Sequence, residues 1–565
     1  MPDWFYRTVS RPLLFSVPAP QARNIALGFM GRLARFPLGP FLIDFLGHMR
    51  ADPRLQQSLL DTNFPTAVGL SPWLDTHVVA LKALSRFGVG FIEIGPVTLR
   101  GNTARPVRRL QQGDGLWIDR RPASISLAEC NRRLQDAKGV KVPVIVRLGS
   151  VAEEEADDAT SRLLHELNAN VPLVTLSSLA MAIDFGWTIE RWSKHLDVVQ
   201  ESERKLLLCV NADQDMQAIA TFIDQALNKG VAGLLVDGSI EADASGRAFG
   251  PLAREPALQQ VRLLRERYGA SLPIVASGGI HEPEQALDLL AAGANLVQID
   301  TGLIYTGPGL PKRINDCLLF AATHQAVHPE HSSRGTQLTW FWTMLMGAGM
   351  FIGGLLALAI AGTKVILPYD EAYLGTSLAN LTTINPHLLA FMAHDRVTLA
   401  GAMVAIGLLY VGLSVFGIRH GLHWARQTVF ISAFTGFASF FLFLGFGYLD
   451  TLHAFVTAVL LQLLLLGVHS RLGVYTPARQ PDLRGDRTWR LSLWGQLLLV
   501  LHGFALLGAG AAISLIGVTQ VFVHEDLEFL GTTALALSSA NARLVPLVAH
   551  DRATLGGMLL AGGWV

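Results

Sequence analysis

Charge is scarce in this sequence, and unevenly so. Only 16% of the 565 residues are Asp, Glu, Lys or Arg, against about 25% in soluble domains. Residues 1–335 carry an ordinary share, whereas after residue 338 these residues vanish for long stretches. Two regions in different solvents are therefore expected, not several similar domains. Neither sign is in excess, with 45 Lys and Arg against 45 Asp and Glu, so charge gives no case for a nucleic-acid partner. Cysteine is nearly absent: Cys130, Cys209 and Cys317 are odd in number and lack ligand spacing. That argues against a disulfide framework or a zinc site, and no metal is expected. The opening residues MPDWFYRTVSRPLLF lack a long apolar run before a small-residue cleavage site. No signal peptide is read, which places the first domain on the cytoplasmic side.

What the second region has instead is apolar length. Runs near 341–366, 398–418, 428–448, 452–470 and 494–520 each approach the roughly 20 residues that span a bilayer. A further run begins near Ala553 and reaches Val565. The segments 419–427 and 471–490 are basic, the latter with Arg471, Arg479, Arg484, Arg487 and Arg490. Loops 367–396 and 521–552 hold the acids Asp370, Glu371, Glu525, Asp526 and Glu528. Basic loops face the cytoplasm, so a multi-pass protein of a bacterial inner membrane is expected, its first domain on the cytoplasmic side.

The same region repeats itself. AHDRVTLAG at 393–401 recurs as AHDRATLGG at 549–557, and His394 and His550 differ by 550 − 394 = 156. That offset also relates Asp370 to Asp526, Leu374-Gly375-Thr376 to Leu530-Gly531-Thr532, and Asn385 to Asn541. Four helices per repeat give both copies one orientation, the parallel kind seen in transporters. By this register the second copy lacks its last helices, and a continuation of the natural chain is expected. Asp370, His394, Asp395 and Arg396, with Asp526, His550, Asp551 and Arg552, form a candidate site for an ion, a headgroup or a quinone. The plainer reading is capping by Asp395 or Asp551 near a helix start, with Arg396 or Arg552 anchored at the headgroups.

In the first region, short apolar runs alternate with helical patterns. Strands are expected over 90–94, 143–147, 172–176, 205–210, 232–236, 273–277 and 295–299, with helices such as 214–228 and 282–292 between them. Repeated βα units of this length predict a (β/α)8 barrel, whose chemistry sits at the C-terminal strand ends. Ser277-Gly278-Gly279-Ile280 ends one late unit, and Thr301-Gly302 ends the next. Glycines there let backbone N–H groups approach a phosphate, though tight turns would also use them.

The motifs NFPTAVGLSPWLD (63–75), GVGFIEIGPVTLRG (88–101), LSS (176–178), FGPLA (249–253) and IVASGGIHEPEQALDLLAAGANLVQIDTGLIYTGPGLPKRI (274–314) resemble class 2 dihydroorotate dehydrogenase. This is the membrane-associated, quinone-reducing FMN enzyme, and the resemblance covers residues 1–325. It implies FMN-phosphate contacts at Gly250, Gly278, Gly279, Thr301 and Gly302, with Gly95, Thr98 and Ser277 also beside the cofactor. It implies Ser178 as the general base, and it makes the apolar segment 25–49, with Leu27, Phe29, Met30, Leu33, Phe36, Leu42, Ile43, Phe45 and Leu46, an entry for quinone.

Other family positions differ. The Ala-Gly pair beneath the flavin is Pro72-Trp73, and the Thr after Gly95 is Pro96. The Pro-Asn-Thr after the base is Leu179-Ala180-Met181. The two lysines are Thr76 and Cys209. The asparagines that hold the orotate ring align with Arg147, Thr175, Ala180 and Gly238 or are missing. A reduced flavin gains negative charge that a Lys would stabilise, and a polar ring loses recognition without its amides. Arg147 is the candidate replacement cation, a substrate-binding residue.

The reading is an α/β chain. An amphipathic helical segment (1–60) precedes an FMN-type (β/α)8 TIM-type barrel (61–325). A polytopic α-helical transmembrane domain with an internal parallel repeat follows (338–475 and 491–565). The expected function is FMN-dependent oxidation of dihydroorotate with electrons passed to quinone. The alternative is a catalytically divergent, flavin- or phosphate-ligand-binding barrel that serves a transporter-like membrane module as sensor or scaffold. Expected partners are membrane lipid, a quinone and a small-molecule substrate.

Overall fold

The computed structural model describes residues 2–47, 49–102, 107–111, 113–120, 122–137, 139–149, 174–180, 205–325, 338–439, 448, 451–470 and 481–565; of 174–180 it describes the backbone alone. The expected strand over 172–176, the span over 428–448 and the basic segment over 471–490 each extend outside these residues. The chain divides into two compact units, residues 1–327 with 480–494, and residues 328–479 with 495–565.

Eight parallel strands make the first unit. They are β1 (Val68–Leu70), β2 (Phe91–Thr98), β3 (Val144–Leu148), β4 (Val174–Ala180), β5 (Lys205–Asn211), β6 (Gly233–Asp237), β7 (Ile274–Ser277) and β8 (Leu296–Ile299). Each pairs with its chain neighbour, and β8 pairs back to β1 through Val297–Val68, Gln298–Gly69 and Ile299–Leu70, which closes the barrel. The sequence reading lacked β1, whose three residues are too few for a periodic signal. It started β2, β3, β6, β7 and β8 one residue early and ended β2 and β4 four residues short.

Helices cover the outside, as a sheet buried on both faces requires. Met216–Asn228 lays Ile219, Phe222, Ile223 and Ala226 inward, at the spacing of one helical face. The Asp215 carboxylate caps it by accepting the Gln217 N–H at 3.2 Å. Alternate residues of each strand point into the barrel. A lower layer is apolar, with Phe91, Ile145, Leu207, Leu235, Val275 and Leu296 buried. Gly69 makes room for it, because a Cβ there would lie 2.4 Å from the Phe91 ring. Two residues further along the strands the next layer turns polar: Glu93, Arg147, Asp237, Ser277 and Gln298, all buried. A separate antiparallel sheet of four strands includes Leu116–Asp119 and Gly246–Phe249.

In the second unit, short helices Pro368–Leu374 and Leu378–Ile384 precede the long Leu388–Phe416; His524–Leu530 and Ala534–Ala540 precede Leu544–Trp564 in the same way. The starts are offset by 524 − 368, 534 − 378 and 544 − 388, each 156. Exchanged bonds join the copies: the Asn385 amide donates to the Leu530 carbonyl at 2.7 Å, and that of Asn541 to the Leu374 carbonyl at 3.0 Å. Among the described residues, four helices are long and apolar enough to cross a membrane: Thr339–Thr363, Leu388–His420, Thr451–His469 and Arg487–Thr519. Leu356 and Leu408 are exposed by 61% and 63%, which an aqueous surface would disfavour. Thr339–Thr363 and Leu388–Phe416 touch through glycine: a Cβ on Gly407 would lie 2.5 Å from the Phe351 nitrogen.

Candidate functional site at the C-terminal mouth of the barrel

The polar layer is the floor of the mouth. Arg147 on β3 pairs with Glu93 on β2 through two bonds, Nε–Oε1 at 2.8 Å and Nη2–Oε2 at 3.1 Å, and its Nη1 donates to the Asp237 carboxylate on β6. Gln298 on β8 donates to Glu93 Oε2 at 2.8 Å. The guanidinium is 3% exposed, and its neighbouring carboxylates hold it protonated despite the cost of burial. Arg147 is therefore held by two acids of the barrel itself, where the sequence reading offered it to a substrate. Register places Ser178 beside it on β4; the Ser178 side chain lies outside the described residues.

Above the floor lies Trp73, where the resemblance puts glycine. Its ring is 5.3 Å from the Arg147 guanidinium and 5.2 Å from Phe249. The cavity bounded by Trp73, Leu116, Phe249, Asp300 and Thr301 has about 10 Å³, room for roughly one water.

The glycine cradle forms the rim. Gly250, Gly278 and Gly279 have φ of +119°, +153° and +60°. A Cβ on Gly279 would sit 2.5 Å from the Gly250 carbonyl oxygen, and one on Gly302 1.8 Å from that of Ile280. Ser277 Oγ accepts the Gly238 N–H at 2.7 Å and so ties β6 to β7. Thr301 Oγ1 lies 2.8 Å from His281 Nε2. Gly95 and Thr98 stand at the end of β2, where Thr98 Oγ1 bonds to Ser124 at 2.9 Å and accepts the Gly101 N–H at 3.0 Å. These residues gather at one end of the barrel. The described side chains fill that space among themselves.

Residues 200–320 match the family model described as Dihydroorotate dehydrogenase. A dihydroorotate dehydrogenase (quinone) of Chloroflexus aurantiacus is 32% identical over 359 residues, covering 57% of this chain and 98% of the relative. The chain belongs to the dihydroorotate dehydrogenase family. A second member, from Kineococcus radiotolerans, is 31% identical over 342 residues, covering 55% of this chain and 93% of the relative. A solved dihydroorotate dehydrogenase of Eimeria tenella in complex with ferulenol shares 17% identity with a TM-score of 0.47, over 56% of this chain and 96% of that one. The relatives support oxidoreduction of the dihydroorotate dehydrogenase type for the barrel.

Dihydroorotate dehydrogenases bind FMN, and the mouth can be tested for fit. The backbone cradle is present. Two of its N–H donors, however, are taken by Asp300, whose carboxylate accepts the Thr301 N–H at 2.6 Å, the Thr301 hydroxyl at 3.1 Å and the Gly279 N–H. With Trp73 across the ring position, the side chains as arranged do not fit FMN. Two buried atoms here, Trp73 Nε1 and Asp300 Oδ2, have no hydrogen-bond partner among the described residues. Trp73 was read in the sequence as a departure from the family; Glu93, Asp237 and Asp300 were missed. The signal available was one acid within or at the end of an otherwise apolar strand.

Burial pushes the Asp300 carboxyl up from 3.8 to about 6, against the pull of Thr301. A carboxyl raised in the fold stabilises fully below its unfolded value and loses that contribution as pH rises through about 6. The stability difference between Asp300→Asn and the natural chain should therefore grow from pH 4 to pH 8 in the variant's favour. The growth should be on the order of 2–3 kcal/mol, read from unfolding midpoints. A difference that is the same at both pH values would contradict this burial.

In the second unit the two His-Asp-Arg triplets sit in early turns of Leu388–Phe416 and Leu544–Trp564, not in loops. Each arginine bridges the copies. Arg396 binds Asp370 of its own repeat at 2.8 Å and Asp551 of the other at 2.9 Å. Arg552 binds Asp526 at 2.5 Å and Asp395 at 3.2 Å. Both arginines also donate to the carbonyl at the matching turn, Val365 or Val521, at 2.7 Å. Asp395 and Asp551 thus pair across the repeats, whereas Asp370 and Asp526 cap their own short helices by accepting the N–H groups of Leu367 and Val523 at 2.9 and 2.8 Å. The histidines differ: the His394 side chain is 78% exposed and that of His550 4%. His550 lies 3.3 Å from His453 and 3.1 Å from Asp551, and Tyr448 bonds to Asp370. Tyr448 and His453 were not legible as site residues, since neither belongs to the repeated motif. Among the described residues no cluster of His, Cys, Asp and Glu is arranged to hold a metal.

Proposed function

We propose that this chain is a multi-pass membrane protein whose cytoplasmic barrel no longer oxidises dihydroorotate and serves the repeated membrane unit as a ligand-responsive scaffold. The observation that carries this is the Glu93–Arg147–Asp237 network. A site for orotate needs uncommitted amides and a free cation facing the ring. Here Arg147, the cation at the strand ends among the described residues, is neutralised by two acids from within the barrel. An anionic substrate approaching it would meet surplus negative charge, with Trp73 in the way.

A second reading has a specific observation in its favour: alignment over 98% of a relative named dihydroorotate dehydrogenase (quinone). In that reading the barrel passes electrons from dihydroorotate to quinone. The exposed apolar side chains Phe29, Phe36, Leu38 and Phe41 of the N-terminal segment then serve as the quinone's approach. The readings part when dihydroorotate is added without oxygen to the purified chain supplied with FMN. The scaffold reading predicts flavin that stays oxidised.

A further inference from the structure

The family's phosphate cradle works by presenting backbone N–H groups to an anion. In this chain an anion is already there, and it is covalently part of the protein. Asp300 follows β8 directly, and its carboxylate accepts the N–H groups of Thr301 and Gly279. It is 2% exposed, and its neighbour Thr301 packs against the cradle: a Cβ on Gly250 would lie 3.3 Å from Thr301 Oγ1. Trp73 performs the matching substitution at the ring end, where the remaining cavity is about 10 Å³.

We infer that Asp300 is a built-in occupant of the phosphate cradle, so that the mouth of this barrel selects against phosphorylated ligands and takes uncharged, phosphate-free ring compounds once Trp73 swings aside. The physical basis is competition for the same donors. A phosphate entering the cradle must displace a carboxylate that cannot leave the site, because Asp300 is fixed to the end of β8. If both stay, two anions share a buried space and repel. An uncharged ring meets neither penalty. The unpartnered Trp73 Nε1 and Asp300 Oδ2 offer it one donor and one acceptor. The inference deepens the scaffold reading by naming the ligand class, yet its test does not depend on whether dihydroorotate is oxidised.

The probes are FMN and riboflavin, which differ by the phosphate alone. Binding is read by quenching of flavin fluorescence in the detergent-purified full chain. The natural chain should purify without stoichiometric FMN. Trp73→Gly opens the ring position and should bind both flavins, FMN no more tightly than riboflavin. Trp73→Gly combined with Asp300→Ser should prefer FMN by about 10-fold or more, because charge-assisted bonds to the freed N–H groups are the strong kind. Circular dichroism of each variant against the natural chain confirms that the barrel is folded. Trp73→Gly combined with Asp300→Asn, which keeps the shape and removes the charge, supplies the same comparison should the Ser double variant unfold, and it should raise the ratio of FMN to riboflavin affinity in the same direction. One FMN per natural chain on purification, a 10-fold preference of Trp73→Gly for FMN, or a folded double variant whose ratio is the same as that of Trp73→Gly would each overturn the inference.

Discussion

Replacing Arg147 with Met should destabilise the barrel by about 3–5 kcal/mol, because Glu93 and Asp237 are then buried acids that have lost their counter-ion. The thermal midpoint should fall by roughly 10 °C. The size of the effect comes from the orphaned acids and not from lost attraction. A triple variant, Glu93→Leu, Arg147→Met and Asp237→Leu, should therefore be closer to the natural chain than Arg147→Met alone. This ordering separates a closed internal network from a substrate-binding arginine. An arginine kept for a ligand would leave stability nearly unchanged when removed, since its partner would come from outside. Thermal unfolding followed by far-ultraviolet circular dichroism checks both variants.

In the second unit, Arg396→Ala and Arg552→Ala should each cost about 3–5 kcal/mol, for each leaves two acids without their cation. The more informative quantity is the coupling between copies. In a double-mutant cycle of Arg396→Ala with Asp551→Ala, the double variant should lose about 2 kcal/mol less than the sum of the single losses. Arg552 with Asp395 should behave alike, at somewhat lower coupling given the longer 3.2 Å contact. Unfolding in detergent reads the cycle. Strict additivity would mean that the arginines act at the headgroups and not between the repeats.

Much of this architecture was legible because it rests on long, periodic signals. The alternation of apolar strands with helices from 88 to 310 implies a parallel barrel, and the charge-poor runs after 338 imply membrane helices. The offset of 156 could be read from identical residues, and the matched short helices follow it. The cradle glycines were legible because only a residue without Cβ tolerates the 1.8 Å approach at Gly302. What stayed hidden was pairing. Glu93 and Arg147 are 54 positions apart in sequence, and Arg147 and Asp237 are 90 apart. Sequence periodicity places each on the inward face, yet gives no reason to expect them in one layer. Asp300 was hidden for another reason. An acid before Thr-Gly reads as an ordinary turn residue until its carboxylate is seen on the Thr301 N–H. The crossing of Arg396 to Asp551 was equally closed to sequence, because a repeat reveals equivalence between copies and not contact between them.

The measurement that bears most directly on this account is the visible spectrum of the full chain in detergent, supplied with FMN and titrated with dihydroorotate in the absence of oxygen. A barrel with its cation neutralised and its mouth closed by Trp73 and Asp300 predicts no bleaching of the flavin at any concentration of dihydroorotate. Bleaching that is complete at about one dihydroorotate per bound flavin would contradict it, and would establish this chain as a dihydroorotate-oxidising enzyme.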